Sequence, residues 1–151
     1  MPEKYPALEA EPIDTHFLES LIGYSARRTA LVIIEQFIQQ MAVHELRPVS
    51  FSVLSLITHN PGITSRQLCT TLGIQPPNLV GLLKPLVKRA LIERRPHPHD
   101  GRAMALHLTA LGQTLMKEAE HMATQLERQA SAALSSTERK TLLALLKKVY
   151  G

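Results

Sequence analysis

Two histidines and an aspartate lie within four positions of one another in the stretch RRPHPHDGR, residues 94–102. His97, His99 and Asp100 are residue types that ligate zinc and other transition metals. The same stretch contains the dipeptide Asp-Gly, which is typical of a β-hairpin turn. The cluster therefore allows two interpretations, a metal site or the polar tip of a hairpin, and the neighbouring elements must decide between them.

The requirements of a metal site are poorly met in this stretch, which favours the hairpin interpretation. Adjacent side chains on a strand point to opposite faces, so His99 and Asp100 converge on one ion only if the turn redirects them. Catalytic zinc also needs three protein ligands in a closed pocket, whereas a hairpin tip is exposed. The sequence contains no Gly-x-Ser-x-Gly, Cys-x-x-Cys or His-Glu-x-x-His motif. We expect no catalytic residues, no metal, no cofactor and no enzyme; a metal-dependent hydrolase is the alternative.

The composition is that of a globular chain. Its 151 residues are 44% hydrophobic and 20% charged, which suits one compact domain or one protomer of an oligomer. Aromatic residues make up only 4%, so an aliphatic, helix-favouring core is expected. The single cysteine, Cys69, allows no intrachain disulfide and is expected to be a core residue. No apolar run approaches the roughly 20 residues of a membrane span, and no signal pattern is present, so we expect a cytoplasmic protein without a membrane partner.

Positive charge is concentrated in one segment. The whole chain carries a net charge of +4, and residues 84–102 alone carry +4, because six basic residues there accompany two acidic ones. Such a segment indicates a polyanionic partner such as nucleic acid. A solvated charged face is the alternative.

The N-terminal third is predicted to be an arm followed by a long helix. Residues 1–12 contain three prolines and are typical of an extended arm. From Ile13 to about Glu45, apolar residues recur at helical spacing. One helix of this length would run roughly 45–50 Å at 1.5 Å per residue. Because that is long for a monomer of this size, part of its apolar surface is expected to meet a second chain.

The middle of the chain predicts a helix-turn-helix. A short helix over about 49–58 is followed by Thr64 and Gln67, which form the pattern of a capping box. Gly73 is typical of the end of that second helix. Pro76 and Pro77 suit the first turn of a third helix, and two helices joined by such a turn make a helix-turn-helix.

An internal proline makes the third helix unusual. Pro85 removes a hydrogen bond to the carbonyl of Gly81, so we expect a kink there.

After this helix the pattern changes from helical to extended and back. Residues 91–96 and 103–109 are short extended runs on either side of the Asp-Gly turn, which predicts a hairpin with RRPHPHDGR at its tip. Thr109 is expected to cap a helix that reaches about Ala133. Ser135 and Glu138 form the pattern of a second capping box, which opens a last helix through Lys147 and Lys148.

This order of elements predicts a winged helix-turn-helix. The fold class is mainly α with a small β-hairpin, and long N- and C-terminal helices serve dimerisation. We expect an arm at 1–12, a helical dimerisation region at 13–45 and 109–151, and a winged helix-turn-helix DNA-binding domain at 46–108.

With this order of elements, the chain resembles the multiple antibiotic resistance regulator (MarR) family of bacterial transcription factors. The resemblance covers about residues 20–148 and is most specific in LVKRALIERRPHPHDGRAMALHLTALG, with Asp100-x-Arg102 in the wing and Leu-Thr-x-x-Gly at 108–112. It implies a homodimer that binds pseudo-palindromic operator DNA and represses a nearby operon until a small molecule binds. It also implies a recognition helix in the major groove and a wing in the flanking minor groove.

Particular residues suit contacts to DNA. Asn78 begins the proposed recognition helix, where it could take adenine bidentately or cap the helix. Lys84 and Lys88 suit phosphates, and the wing arginines suit a narrow minor groove. The resemblance gives Arg102 a second possible role, in holding the wing in shape. The predicted DNA-binding residues are Ser65, Arg66, Gln67, Pro77, Asn78, Lys84, Lys88, Arg94, Arg95, His97, His99 and Arg102.

Gly81 and Pro85 depart from the family pattern. Family members often carry a polar or basic residue at these two positions, so their absence puts the usual base contacts in doubt. The chain is expected to rely more on the wing and on DNA shape. A protein-interaction adaptor of the same fold with reduced DNA binding is the alternative function.

An effector site is predicted between the dimerisation helices and the winged domain, where the resemblance places ligands. Tyr24 shares a helix face with Arg27 and Arg28, which could hold a phenol and a carboxylate; a surface ion pair is the alternative. The remaining predicted lining residues are His16, Phe51 and Met116. The stretches IGYSARRTAL and LRPVSFSVLSLI are similar to the branch that controls catabolism of aromatic acids and their coenzyme A thioesters, so we expect an aromatic acid or aryl-coenzyme A effector.

Overall fold

The computed structural model describes residues 11–151, which divide into two compact units, one ending at Val32 and one spanning Ile33–Gly151. The predicted arm lies outside the described residues except for Glu11 and Pro12. The elements are α1 His16–Glu19, α2 Ile22–Met41, a 3-10 turn Ala42–His44, α3 Pro48–His59, β1 Ile63–Thr64, α4 Ser65–Leu72, α5 Pro76–Lys88, β2 Ile92–Pro96, β3 Met104–Leu108, α6 Ala110–Ala130 and α7 Ser136–Tyr150. The predicted fold class, mainly helical with a small sheet, is confirmed.

The prediction of one continuous helix from Ile13 to about Glu45 is wrong. The Ser20 hydroxyl donates to the carbonyl of Phe17 at 2.6 Å, and a break at Ser20 and Leu21 separates α1 from α2. Serine side chains compete with the helical ladder in this way. At its other end α2 tightens into the 3-10 turn, and Glu45 ends that turn with a left-handed φ of 51°. The uninterrupted helix is therefore 20 residues long, about 30 Å.

The helix-turn-helix forms where its local signals predicted it. The Thr64 hydroxyl accepts the backbone N–H of Gln67 at 3.2 Å, and the Gln67 amide oxygen accepts the N–H of Thr64 at 2.9 Å, so the first capping box is confirmed. Gly73 ends α4 with a φ of 65°. α5 begins at Pro76 and continues through Pro85 to Lys88.

A three-stranded antiparallel sheet in the order β1-β3-β2 forms the wing. The predicted hairpin is confirmed, with Ile92 opposite Leu108 and Pro96 opposite Met104. The two-residue strand β1 was not predicted; it pairs Ile63 with Leu106. Two residues are too few to show an alternating pattern, so only the partner strand reveals it.

The start of α6 packs closely against the chain between α5 and β2. The Thr109 hydroxyl donates to the carbonyl of Ala90 at 2.6 Å and accepts the N–H of Gly112 at 3.0 Å. The N–H of Thr109 donates to the carbonyl of Leu91 at 3.0 Å. A Cβ on Gly112 would lie 2.1 Å from that Leu91 oxygen. These contacts explain the Leu-Thr-x-x-Gly pattern. Thr109 joins the start of α6 to the segment between α5 and β2, and only a glycine at position 112 allows the two to approach so closely.

Arg89 joins the end of α5 to the 3-10 turn. Its guanidinium donates to the carbonyl of His44 at 2.7 Å and to that of Glu45 at 3.1 Å, and its side chain is 30% exposed. These are the carbonyls left unpaired where a helix ends. Arg89 therefore helps to position α5, although its charge belongs to the basic segment.

The second predicted capping box is also confirmed, at the start of α7. The Glu138 carboxylate accepts the backbone N–H of Ser135 at 2.7 Å, and the Ser135 hydroxyl accepts the N–H of Glu138 at 3.1 Å. The hydrogen bonds from the backbone and hydroxyl of Ser135 lower the pKa of Glu138. The capping box therefore contributes stability that is fully present when the pH is above the ordinary pKa of 4.5. This stability is lost as the pH falls through the lowered pKa of Glu138.

Candidate nucleic-acid interface

α5 has a buried face and an exposed face. Leu79, Leu83 and Leu86 are at most 3% exposed and anchor the helix in the core. On the opposite side, positions spaced by three and four residues form an exposed stripe, which we call the outward stripe: Pro77, Gly81, Lys84 and Lys88. The helix thus presents small residues towards its start and two cations one turn apart towards its end.

Asn78 does not cap α5. The cap position is Gln75, and the backbone N–H of Asn78 donates to the Gln75 carbonyl at 3.0 Å. The Asn78 side chain is exposed in the first turn. The cap alternative therefore does not apply, and contact with a base edge stays the prediction for this residue.

The start of α4 also exposes its predicted residues. Ser65, Arg66 and Gln67 are exposed, but the Gln67 amide oxygen is held by Thr64 in the capping box. Ser65 and Arg66 keep their side chains available for a phosphate at this helix start.

The tip of the wing is organised by His97 and Asp100. Nδ1 of the half-buried His97 accepts the backbone N–H of His99 at 3.2 Å and that of Asp100 at 3.1 Å. The Asp100 carboxylate accepts the N–H of Arg102 at 3.0 Å. The Asp-x-Arg pair is thus joined through the backbone of Arg102, which leaves the guanidinium exposed.

These contacts account for the histidine and aspartate cluster as a turn. A metal ligand must offer the lone pair of a ring nitrogen, and the Nδ1 lone pair of His97 already receives two backbone donors. Among residues 11–151, no group of three His, Cys, Asp or Glu side chains is placed to hold a metal ion.

The wing arginines lie on both faces of β2. Arg94 and Arg95 are consecutive and exposed, so they point to opposite sides of the strand. Arg95 forms an ion pair with Glu93, whereas within the described chain Arg94 and Arg102 make no ion pair. Arg94 and Arg102 are therefore the wing guanidinium groups best placed to meet an external anion.

The two wing histidines are expected to respond differently to substitution. His97→Ala removes the acceptor of two backbone N–H groups that hold the wing tip in shape, so DNA affinity should fall clearly. His99→Ala truncates an exposed ring and leaves those two hydrogen bonds in place, so the affinity should fall less. Fluorescence anisotropy of labelled operator DNA measures this difference. Equal losses of affinity in the two variants would contradict it.

A serine, a glutamate and a histidine meet between α3 and α6. The Ser55 hydroxyl donates to Oε1 of Glu120 at 2.8 Å, and Nε2 of His59 lies 2.8 Å from the same oxygen. A nucleophilic triad needs the histidine between the serine and the carboxylate. Here both groups contact the carboxylate, so the cluster ties two helices together and is not a catalytic triad.

The predicted effector residues belong to both compact units. In the unit that ends at Val32, Tyr24 is half-buried and Arg27 and Arg28 are exposed on α2. The Asp14 carboxylate accepts the backbone N–H of His16 at 3.0 Å and lies 2.8 Å from its ring, and these hydrogen bonds lower the pKa of Asp14.

In the unit Ile33–Gly151, the other two effector residues are packed. Phe51 lies edge-on to Phe37 at 5.3 Å, and Met116 is fully buried. The effector site therefore stays a prediction. Cys69, which was expected in the core, is half-buried and packs against it.

A cavity of about 390 Å³ lies in the unit Ile33–Gly151, and none of the predicted effector residues is among its lining residues. It is lined by Ile57, Thr58, Pro61, Arg95, His107, Leu108 and Gln113. Its polar residues come from four separate elements, α3, β2, β3 and α6, and no local sequence pattern indicated their convergence.

A helix-turn-helix with an exposed stripe and a basic wing defines a class of DNA-binding proteins. The MarR family model matches residues 44–103. The chain is 34% identical to the transcriptional repressor CouR bound to a 23-mer DNA duplex, with a TM-score of 0.85 over 93% of this chain and 99% of that one. The structure of CouR bound to p-coumaroyl-CoA is also 34% identical, with a TM-score of 0.79 over 91% and 97% of the two chains.

Two further proteins extend this likeness. The reduced form of MarR from E. coli is 26% identical, with a TM-score of 0.75 over 87% of this chain and 97% of that one. A Thauera aromatica protein that is named as a regulatory protein for the hcr operon is 29% identical over 85% of this chain and 78% of its own length. The chain belongs to the MarR family and is a DNA-binding transcriptional regulator. Proteins of this family are regulators and not enzymes.

No helix in the described part of the chain is long and apolar enough to cross a membrane.

Proposed function

We propose that this protein is a homodimeric repressor that binds a pseudo-palindromic operator through α5 and the wing. The observation that carries the proposal is the outward stripe of α5, with Lys84 and Lys88 exposed in the same basic segment as the wing arginines. The repressor CouR, a protein of the same length range and 34% identity, binds a DNA duplex, which supports the proposal. A bacterial repressor meets its operator in the cytoplasm, so a cytoplasmic location is part of the proposal.

Each part of this surface has a distinct task. Asn78 contacts a base edge from the first turn of α5, while Lys84 and Lys88 neutralise phosphates. Ser65 and Arg66 contact the backbone at the start of α4. In the wing, the guanidinium groups of Arg94 and Arg102 enter the minor groove, and His97 with Asp100 holds the tip in shape.

The helices outside the winged domain are proposed to form the dimer. α7 has no buried residue, and five of its large apolar side chains are exposed: Leu142, Leu143, Leu145, Val149 and Tyr150. On α2, Leu31, Val32, Ile34 and Ile38 are exposed as well. Exposed apolar surface of this extent on a helix is typical of an oligomer interface. We therefore assign dimerisation to residues 13–45 and 109–151, and DNA binding to 46–108.

The proposed effector is an aromatic acid or its coenzyme A thioester. CouR binds p-coumaroyl-CoA, which supports a ligand of this class for a chain of 34% identity. Tyr24 and the arginines at 27 and 28 offer a phenol and two cations on one helix face, with His16, Phe51 and Met116 as further lining residues. Repression and effector release rest on this likeness, whereas DNA binding rests on the family.

The test of effector release uses p-coumaroyl-CoA as the probe. A labelled fragment of the chain's own promoter is bound at a protein concentration near the dissociation constant, and the thioester is added while anisotropy is followed. We expect the DNA to be released, because a ligand that binds the DNA-free form more tightly lowers the affinity of the protein for DNA. The free energy of this coupling is the same whichever of the two binds first. Free coenzyme A and p-coumarate are the matched controls, and they separate thioester recognition from recognition of either half. A DNA complex that withstands all three compounds would contradict an effector of this class.

A further inference from the structure

The first two turns of α5 expose apolar rather than polar surface. Among the exposed positions from Pro76 to Gly81, only Asn78 has a polar side chain. Val80 is 54% exposed and borders the outward stripe. Leu79 and Leu83 form the buried face of α5, and Val80 lies outside that face.

The chemistry of the major groove identifies what such a surface can recognise. The 5-methyl group of thymine is the apolar group that a base pair presents there, whereas the other edge atoms are hydrogen-bond donors and acceptors. A valine pressed against those polar atoms would deprive them of water without replacing the lost hydrogen bonds. We propose that Val80 reads thymine 5-methyl groups in the operator, an inference that rests on the DNA-binding function proposed above.

Two features make Val80 suited to this task. Valine is branched at Cβ and has few side-chain conformations, so little entropy is lost when it makes contact. Its neighbour Gly81 has no side chain, and a Cβ there would have no atom within 4 Å. The helix backbone can therefore approach the bases closely enough for a short side chain to reach a methyl group.

Val87 provides a matched control on the same helix. It is 41% exposed and lies seven residues further along, about 10 Å at 1.5 Å per residue. Its truncation removes the same two methyl groups from an exposed helical position. Base contacts are expected from the first two turns of α5, and Val87 lies beyond those turns.

The test replaces thymine with deoxyuridine in a duplex that the wild-type protein selects from a random library. Each thymine is replaced at the same position in both half-sites, and affinities are measured for wild type, Val80→Ala and Val87→Ala. At one or two positions the wild-type affinity should fall roughly fourfold for each methyl group removed, as expected for about 0.8 kcal/mol per buried methyl group. Because the same thymine is replaced in both half-sites, the total loss should be roughly 15-fold. Val80→Ala should bind the original duplex more weakly and lose this sensitivity. Val87→Ala should keep it.

Two results would overturn the inference. One is wild-type affinity that is unchanged by uracil at every position, although the duplex is bound. The other is a full uracil penalty in Val80→Ala, which would assign the methyl group to another residue. Failure of the wild-type protein to select or bind any duplex at low salt would instead overturn the proposed function, and this inference with it.

Discussion

Gly112→Ala is expected to destabilise the folded protein by roughly 3 kcal/mol or more, which is the upper range for overpacking. A Cβ at this position would lie 2.1 Å from the carbonyl oxygen of Leu91. That oxygen cannot move aside freely, because it accepts the N–H of Thr109 and belongs to the backbone that leads into β2. The substitution therefore separates α6 from the α5–β2 connection. Urea unfolding followed by circular dichroism measures the loss, and failure to obtain folded protein is its extreme form.

Gly81→Ala is the matched control for this substitution. Gly81 also lies inside a helix, but it is exposed and a Cβ there would meet no atom within 4 Å. Alanine should raise the free energy of unfolding by about 0.5–1 kcal/mol, the usual gain over glycine in a helix. Equal stability of Gly112→Ala and wild type would show that the close approach is not a constraint on the fold.

The elements with local signals were predictable from the sequence. The capping boxes at Thr64 and Ser135 and the start of α5 at Pro76 depend on residues within one turn of each other, and the structure has all three. The hairpin followed from two extended runs around Asp-Gly. Each of these features is encoded by short-range steric and hydrogen-bond preferences.

The features that the sequence did not reveal depend on distant residues. Strand β1 exists because Ile63 pairs with Leu106, 43 residues away. Arg89 looked like one more cation of the basic segment, yet its donors are used on the 3-10 turn. The break before α2 depends on how Ser20 bonds, and serine is tolerated in many helices.

The candidate site was predictable in part. The basic segment and the spacing of Lys84 and Lys88 were visible in the sequence. The role of His97 was not predictable, because the sequence favoured a hairpin tip without showing that the ring nitrogen of His97 accepts two backbone N–H groups there. Which residues line the effector site stays a prediction.

The double variant Lys84→Ala/Lys88→Ala is expected to lose most of its affinity for operator DNA. Both lysines are exposed on the outward stripe of α5, and a dimer would lose four phosphate contacts. At about 0.1 M salt this corresponds to a loss of roughly 4,000-fold, because each phosphate contact releases about 0.9 counterion. The control Lys117→Ala/Lys140→Ala removes the same charge from exposed positions on α6 and α7, outside the basic segment, and should bind almost normally.

The salt dependence of operator binding tests the central claim most directly. Dissociation constants of wild type and both double variants are measured by anisotropy across a range of salt concentrations. If α5 and the wing bind DNA as proposed, wild-type affinity falls steeply with salt, and the slope of log K against log salt is shallower by about 3–4 in Lys84→Ala/Lys88→Ala. The control variant should retain the wild-type slope. The same slope in all three proteins, or no operator binding by wild type at low salt, would contradict the assignment of this surface to DNA.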